Sequence, residues 1–273
     1  MKVITTVLEL KKELRSQSGS IGFVPTMGSL HDGHTSLMSE AKLKDDILVV
    51  SIFVNPTQFL EGEDLENYPR DNKADKLICE KNGVDFLFLP QVDEIYRVDE
   101  VSLNAPNVKG YILEGSERPG HFSGVLTVVN KLFNIVKPTH AYFGRKDAQQ
   151  LFLIKQMVQN LYMDVIVIEV DTLREEGGLA QSSRNIYLSS REREDALRIY
   201  ESLIFAKGVV SSGELSSDII EFEMREILSA LDVEHIAIVS REFDAIKSVK
   251  IGETIIVVEV VVGITRLLDN IYI

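Results

Sequence analysis

The chain has 273 residues, 45% hydrophobic and 26% charged, enough to bury a large core and divide into one larger and one smaller domain. Acids outnumber bases 42 to 29, and the formal charge of −13 argues against nucleic acid or anionic lipid as partners. No stretch is long and apolar enough to span a membrane, the first residues lack an apolar signal core, and Cys79 alone cannot form an internal disulfide, so the expected compartment is the cytoplasm.

In chain order, Thr6 to Gln17 reads as an amphipathic helix that the N-terminus runs straight into. Ile21 to Val24 has the composition of a buried strand, and Pro25, unable to donate to a ladder, is expected to end it. Thr26-Met-Gly-Ser is a turn in which Gly28 lets backbone come close to a ligand. From Asp32 the pattern is helical, with Leu37, Met38 and Ala41 on one face. A strand, a glycine-bearing loop and a helix N-terminus form an anion site, where unpaired amides and the positive end of the helix dipole point at a ligand. His31 and His34 share a face of the first turn and are read as donors to phosphate oxygens. Two histidines three apart could also be half of a metal site, but tetrahedral zinc needs further ligands and the remaining histidines, His121, His140 and His235, show no second paired spacing, so no metal site is expected.

Asp46 to Val54 is a β-branched run suited to a central parallel strand, and it ends in the polar loop Asn55-Pro-Thr-Gln-Phe59. A helix through Lys81 with Gly83 at its C-cap precedes a strand over 84–89. Residues 98–117 are irregular, Arg118 to Gly124 is glycine-rich, and a helix over 125–136 follows, with His121 expected to cap it. Asp75 reads as a solvated helix-face residue, and His140 and His235 as structural. A strand at 141–143 ends in Gly144-Arg-Lys-Asp147, followed by a helix over 149–161 and a strand over 165–170. This alternation predicts an α/β fold with a Rossmann-like, doubly wound parallel sheet over residues 1–172. Leu173 to Asn185 has the composition of a linker or mobile loop. Helices over 190–207 and 217–231, capped near Ser189 or Ser190 with Glu192 close by, and strands over 235–239 and 254–262 predict a smaller α+β domain over 173–273.

Polar residues therefore gather in strand-end loops: His31 and His34, Asn55 and Gln58, Gly144 to Gln150, and the linker Ser182-Ser-Arg184. Lys146 is a compact cation for phosphate, and Arg184 a planar fork. From spacing alone they point to a nucleotide-dependent enzyme; a metabolite-binding regulatory protein is the reading from another class.

Seven segments carry a resemblance. Pro25-Thr-Met-Gly-Ser-Leu-His-Asp-Gly-His34, Phe53-Val-Asn-Pro-Thr-Gln-Phe59, Tyr68-Pro-Arg70, Gly120-His-Phe-Ser-Gly-Val125, Gly144-Arg-Lys-Asp-Ala-Gln-Gln150, Ser182-Ser-Arg-Asn185 and Thr265-Arg-Leu-Leu-Asp-Asn270 occur in order along the whole chain. Together the set resembles the pantothenate synthetase (pantoate–β-alanine ligase) family, whereas His-x-Gly-His alone is shared by a wide nucleotidyltransferase superfamily.

The resemblance implies ATP-dependent condensation of pantoate with β-alanine through a pantoyl adenylate, giving pantothenate, AMP and pyrophosphate, with Mg2+ accompanying ATP. It also implies a homodimer whose smaller domain, tethered by Gly177-Gly178, is lid-like. By position, Met27, Gly28, Ser29, Leu30, His31, Asp32, Gly33 and His34 would line the ATP site, with His34 the family's catalytic histidine and His31 beside it on the phosphates. Gln58 and Gln150, with Met27 and Asn55, would hold pantoate or β-alanine. Gly144, Arg145, Lys146 and Asp147 would hold the nucleotide, Lys146 on its phosphates and Asp147 on the ribose hydroxyls. Gln181, Ser182, Ser183 and Arg184 match a second ATP loop, and Leu173 a backbone contact to adenine. The sequence departs from the family's usual residues at Arg145, Ala148, Asp171, Gly177 and Gln181.

Overall fold

The structure is a computed structural model that describes residues 1–273 and divides into two compact units. The first comprises Met1–Arg145 and Leu153–Asp171, and the second Lys146–Phe152 and Thr172–Ile273.

The first unit is built on six parallel strands, β1 (Lys2–Ile4), β2 (Ile21–Thr26), β3 (Ile47–Ile52), β4 (Phe86–Phe88), β5 (His140–Gly144) and β6 (Ile166–Val170). Their order across the sheet is β1-β4-β3-β2-β5-β6. Connecting helices are α1 (Val7–Arg15), α2 (Asp32–Lys44), α3 (Asn72–Lys81), the short α4 (Val92–Ile95) and α5 (Glu114–Glu117), α6 (His121–Val136) and α7 (Ala148–Asn160). Every residue of β3 is buried, which explains its unbroken apolar run: a parallel strand covered on both faces has no polar side. The strand order reverses at β2, flanked by β3 on one side and β5 on the other, and ligands of such sheets bind outside the carboxyl ends of the strands there.

Several elements of the first unit differ from the sequence reading. Lys2–Ile4 is an edge strand paired with β4, Val3 opposite Leu87, rather than a lead into a helix. Three residues carry too little periodicity to show this, because the partner that makes them a strand is remote in sequence. Pro25 lies inside β2 instead of ending it. Ile21 exchanges bonds with Thr139, N to Oγ1 at 3.0 Å and O from N at 2.8 Å, so Ile21, Phe23 and Pro25 turn their backbone groups toward β5. The β5 pairing stops at Phe23, and the missing N–H of Pro25 removes no ladder bond. Helix α6 begins at His121, four residues before the expected 125, with Gly120 at φ +94° as its N-cap.

The second unit pairs α8 (Ser190–Ser211) and α9 (Ser217–Ile227) with an antiparallel sheet of β7 (Asp232–Ser240), β8 (Thr254–Val262) and β9 (Thr265–Tyr272). Ala196, Ile199, Leu203, Ile220 and Met224 share one core with Ile236, Ile238, Ile256, Val258 and Val260, alternate residues of β7 and β8. Ser189 and Glu192 form a capping box at the start of α8. Strand β9 is absent from the sequence reading; buried Asp269 and Asn270 within it disguise its apolar pattern.

Candidate active site

In the first unit, the loop between β2 and α2 is shaped by Asp75. Ser29 N donates to Asp75 Oδ2 at 3.0 Å and Leu30 N to Oδ1 at 2.8 Å. Gly28, at φ +87°, is required there, since a Cβ would lie 2.9 Å from Ile52 Cγ2 and 3.0 Å from Asp75 Oδ2. Asp75 is 2% exposed, not solvated as its helix position suggested. Burial raises its carboxyl above the ordinary range against the two amides that favour the charged form. The amides expected to point unpaired at a ligand are thus partly occupied: Gly28 N also donates to Thr26 Oγ1 at 3.2 Å, and Leu30 is packed in the core.

His31 is the N-cap of α2. Its Nδ1 accepts from Gly33 N at 3.2 Å, while His34 Nδ1 accepts from His31 N at 3.2 Å, a capping box made by two imidazoles. Each Nδ1 is an acceptor, so each neutral ring carries its proton on Nε2. The rings lie 4.1 Å apart between centroids, and the donor capacity of the pair resides in imidazole N–H groups rather than in the loop's backbone. Asp32 and Gly33 occupy the first two positions of α2.

Gln58 closes the loop after β3. Its Nε2 meets Met27 Sδ at 3.0 Å, which joins it to the histidine loop, and its Oε1 accepts from Asn55 Nδ2 at 3.0 Å. Asn55 is 1% exposed; the same Nδ2 reaches Gly124 O at 3.2 Å, and Oδ1 accepts from Tyr96 OH at 2.7 Å and Thr57 Oγ1 at 3.0 Å. The structure therefore places Asn55 behind Gln58, where its side chain orients the Gln58 amide. A Cβ on Gly124 would lie 2.2 Å from Thr57 O, so only glycine lets α6 pass this close to the Gln58 turn.

Sequence reasoning missed a buried cluster behind Gln58. Gln58 O accepts from His121 Nδ1 at 2.7 Å and from Arg118 Nη2 at 3.3 Å. Arg118 is also held by Glu63 at 2.7 Å and Glu114 at 2.9 Å, and its Nη1 meets His121 Nε2 at 3.1 Å. An arginine on one side and a carbonyl on the other leave His121 neutral with its proton on Nδ1. Burial pushes its pKa down, with Arg118 adding to the effect against Glu114. His121 is thus not a helix cap. The sequence signals were its place in a glycine-rich segment and in one of the seven resembling segments, neither of which reveals a long-range bond to a carbonyl.

At the end of β5, Gly144 and Arg145 are half-buried, and the Arg145 guanidinium is engaged by two carboxylates. Its Nε meets Glu169 Oε2 at 3.0 Å and its Nη1 meets Asp171 Oδ1 at 2.5 Å. His140 is structural, donating through Nδ1 to Asp45 Oδ1 at 2.7 Å.

In the second unit, Lys146 Nζ pairs with Asp147 Oδ1 at 3.1 Å, and Gln150 lies half-buried in the first turn of α7 beside buried Gln149. Leu173 to Asn185 is not a loose linker. Arg174 and Ala180 form an antiparallel bridge, Gln181 N donates to Leu173 O at 3.0 Å, and Gly178 N donates to Glu175 O at 2.9 Å. A Cβ on Gly178 would lie 1.9 Å from the Tyr200 ring, so the glycines fit a packed turn. Leu173 is 40% exposed. Ser182 caps the short helical turn Ser183–Tyr187, its Oγ accepting from Arg184 N at 3.3 Å. His235 faces buried Glu259 at 3.4 Å, a contact within the sheet.

The whole chain has close relatives. A family model described as pantoate-beta-alanine ligase matches residues 2–272. Pantothenate synthetase of Sulfurimonas denitrificans is 56% identical over 272 residues, and that of Aliarcobacter butzleri 52% identical over 272, each covering 100% of both chains. Pantothenate synthetase of Thermus thermophilus superposes with a TM-score of 0.96 at 40% identity, covering both chains completely. The pantoate-beta-alanine ligase of Francisella tularensis, solved in complex with beta-gamma ATP and beta-alanine, gives 0.83 at 35% identity over 100% of this chain and 97% of that one. The chain belongs to the pantoate–β-alanine ligase family, ligases that form a C–N bond to make pantothenate.

Proposed function

We propose that the protein makes pantothenate in two steps driven by ATP. The pantoate carboxylate attacks the α-phosphorus of ATP and pyrophosphate leaves; the amine of β-alanine then attacks the acyl carbonyl of the adenylate and AMP leaves. The observation that carries this reading is the contact of Met27 with Gln58. It puts a loop bearing two imidazole N–H donors against a neutral amide that can hold a carboxylate without repelling it.

In this reading the Nε2–H groups of His31 and His34 stabilise charge that develops on the phosphates, with His34 the principal donor. Met27 to Gly33 shape the nucleotide's seat, and Gln58 and Gln150 hold pantoate. Gly144, Lys146 and Asp147 serve the nucleotide, Lys146 as its phosphate cation, with Ser182, Ser183, Arg184, Gln181 and Leu173 assisting. Phosphoryl chemistry of this kind needs positioning and charge stabilisation and no protein nucleophile, which suits a chain whose one cysteine, Cys79, is buried in the core with its pKa pushed up to about 12 by burial. Mg2+ accompanies ATP as part of the substrate. Residues 1–172 act as the catalytic domain and 173–273 as a smaller lid domain in a cytoplasmic homodimer. No helix is long and apolar enough to cross a membrane. The Francisella relative's complex with beta-gamma ATP and beta-alanine supports the substrates.

The test is a product balance. Purified protein given pantoate, β-alanine and MgATP yields pantothenate, AMP and pyrophosphate in equal amounts. Formation of ADP and inorganic phosphate instead overturns the adenylate route.

A further inference from the structure

The segment Thr265 to Asn270 is unexplained by the roles above. We propose that its last two residues, Asp269 and Asn270, are positioning residues for the nucleotide, holding the backbone of Lys146 and the loop that leads to Ser182 and Arg184. The proposal rests on the nucleotide roles given to those residues.

Asn270 Nδ2 donates to the carbonyl of Lys146 at 2.7 Å, and Asn270 is 3% exposed. A lysine ammonium sits at the end of four flexible carbons, so fixing its backbone narrows where the charge can be. Asp269, 4% exposed, takes both Nη atoms of Arg174, with Nη2 to Oδ1 at 3.0 Å. The two side chains are tied to one another, because Asn270 N donates to Asp269 Oδ1 at 2.7 Å.

Arg174 in turn closes the loop. Its Nη1 donates to Gly178 O at 3.0 Å, its guanidinium stacks 4.3 Å from the centre of the Tyr200 ring, and the loop's ends join where Gln181 N meets Leu173 O. Ser182 begins immediately after that junction. Lys146, Ser182 and Asp269 also line one small cavity in this unit. Neighbouring positions on β9 therefore restrain two stretches that are separate in sequence and that both serve the nucleotide. Strand β9 is itself held along its length by the ladder to β8, Asp269 opposite Val258 and Asn270 opposite Val257, so the side-chain ties are not needed to make the strand.

The test is pantoate-dependent exchange of labelled pyrophosphate into ATP by Asn270→Leu, which keeps the volume and loses the donor, and by Arg174→Lys, which keeps the charge and loses the fork. Circular dichroism and melting select folded protein. The expected result in each variant is an ATP KM raised about tenfold with the pantoate KM within about twofold of wild type, the loss of one hydrogen bond. Folded variants with an unchanged ATP KM overturn the proposal, as does a fall in kcat alone, which marks a structural role. Wild-type protein without exchange contradicts the adenylation reading instead. ATP binding by calorimetry then decides the positioning role: about tenfold weaker binding by Asn270→Leu supports it, and unchanged binding overturns it.

Discussion

Arg145 and Asp171 form an ion pair at 2.5 Å at the ends of strands β5 and β6. Glu169 shares the guanidinium at 3.0 Å. The Arg145 side chain is 35% exposed and that of Asp171 85%, so the pair contributes less than ~1 kcal/mol. Arg145→Ala should leave the ATP KM within about twofold, whereas Lys146→Ala should lower the rate about 10²- to 10³-fold, the usual loss of one transition-state donor. Steady-state kinetics on both variants separates the neighbouring cations.

Gln58 is neutral and held at both ends, by Asn55 on its oxygen and Met27 on its nitrogen. Gln58→Glu should raise the pantoate KM about 100-fold or more through like-charge repulsion, with ATP binding unchanged. Asn55→Ala should raise it about tenfold and lower stability by about 1–3 kcal/mol, because Tyr96 and Thr57 lose their buried acceptor. Kinetics beside denaturant unfolding reads both effects.

His121 gives a pH signature in stability. Its folded pKa lies below the ordinary 6.5, so on acidification the unfolded state takes up the proton first. Its contribution is present above pH 6.5 and is lost as pH falls from there through the lowered folded value. Glu63 adds nothing in that window: burial pushes it up, but Arg118 overrides this and holds it below the ordinary carboxylate range. Asn keeps a donor for the Gln58 carbonyl but does not titrate. Melting temperature should therefore fall more steeply below pH 6.5 for wild type than for His121→Asn, and parallel curves would contradict the assignment.

What the sequence revealed and what it hid divide along physical lines. The buried run of β3, the capping box at Ser189 and the helical start at Asp32 follow from local periodicity and side-chain reach, so they could be read directly. The histidine pair, Gln58, Lys146 and Arg184 stand out in the sequence as candidates through their places in polar loops, and their roles belong to the proposal. Strand β1, the burial of Asp75 and the contacts of His121 and Asn55 all depend on partners remote in sequence. Asp75 carries the helix-face pattern of a solvated residue, and only the approach of the β2–α2 loop amides changes its part. Likewise Gly177 and Gly178 suggested a tether, and the Tyr200 ring against Gly178 shows a packed turn.

The central claim is adenylation of pantoate, and the most direct measurement follows its carboxylate oxygens. Pantoate labelled with oxygen-18 in the carboxylate is turned over with β-alanine and MgATP, and the products are weighed by mass spectrometry. Attack on the α-phosphorus followed by amide formation predicts one labelled oxygen in each AMP and one in pantothenate. AMP without label, or label in inorganic phosphate, would contradict it.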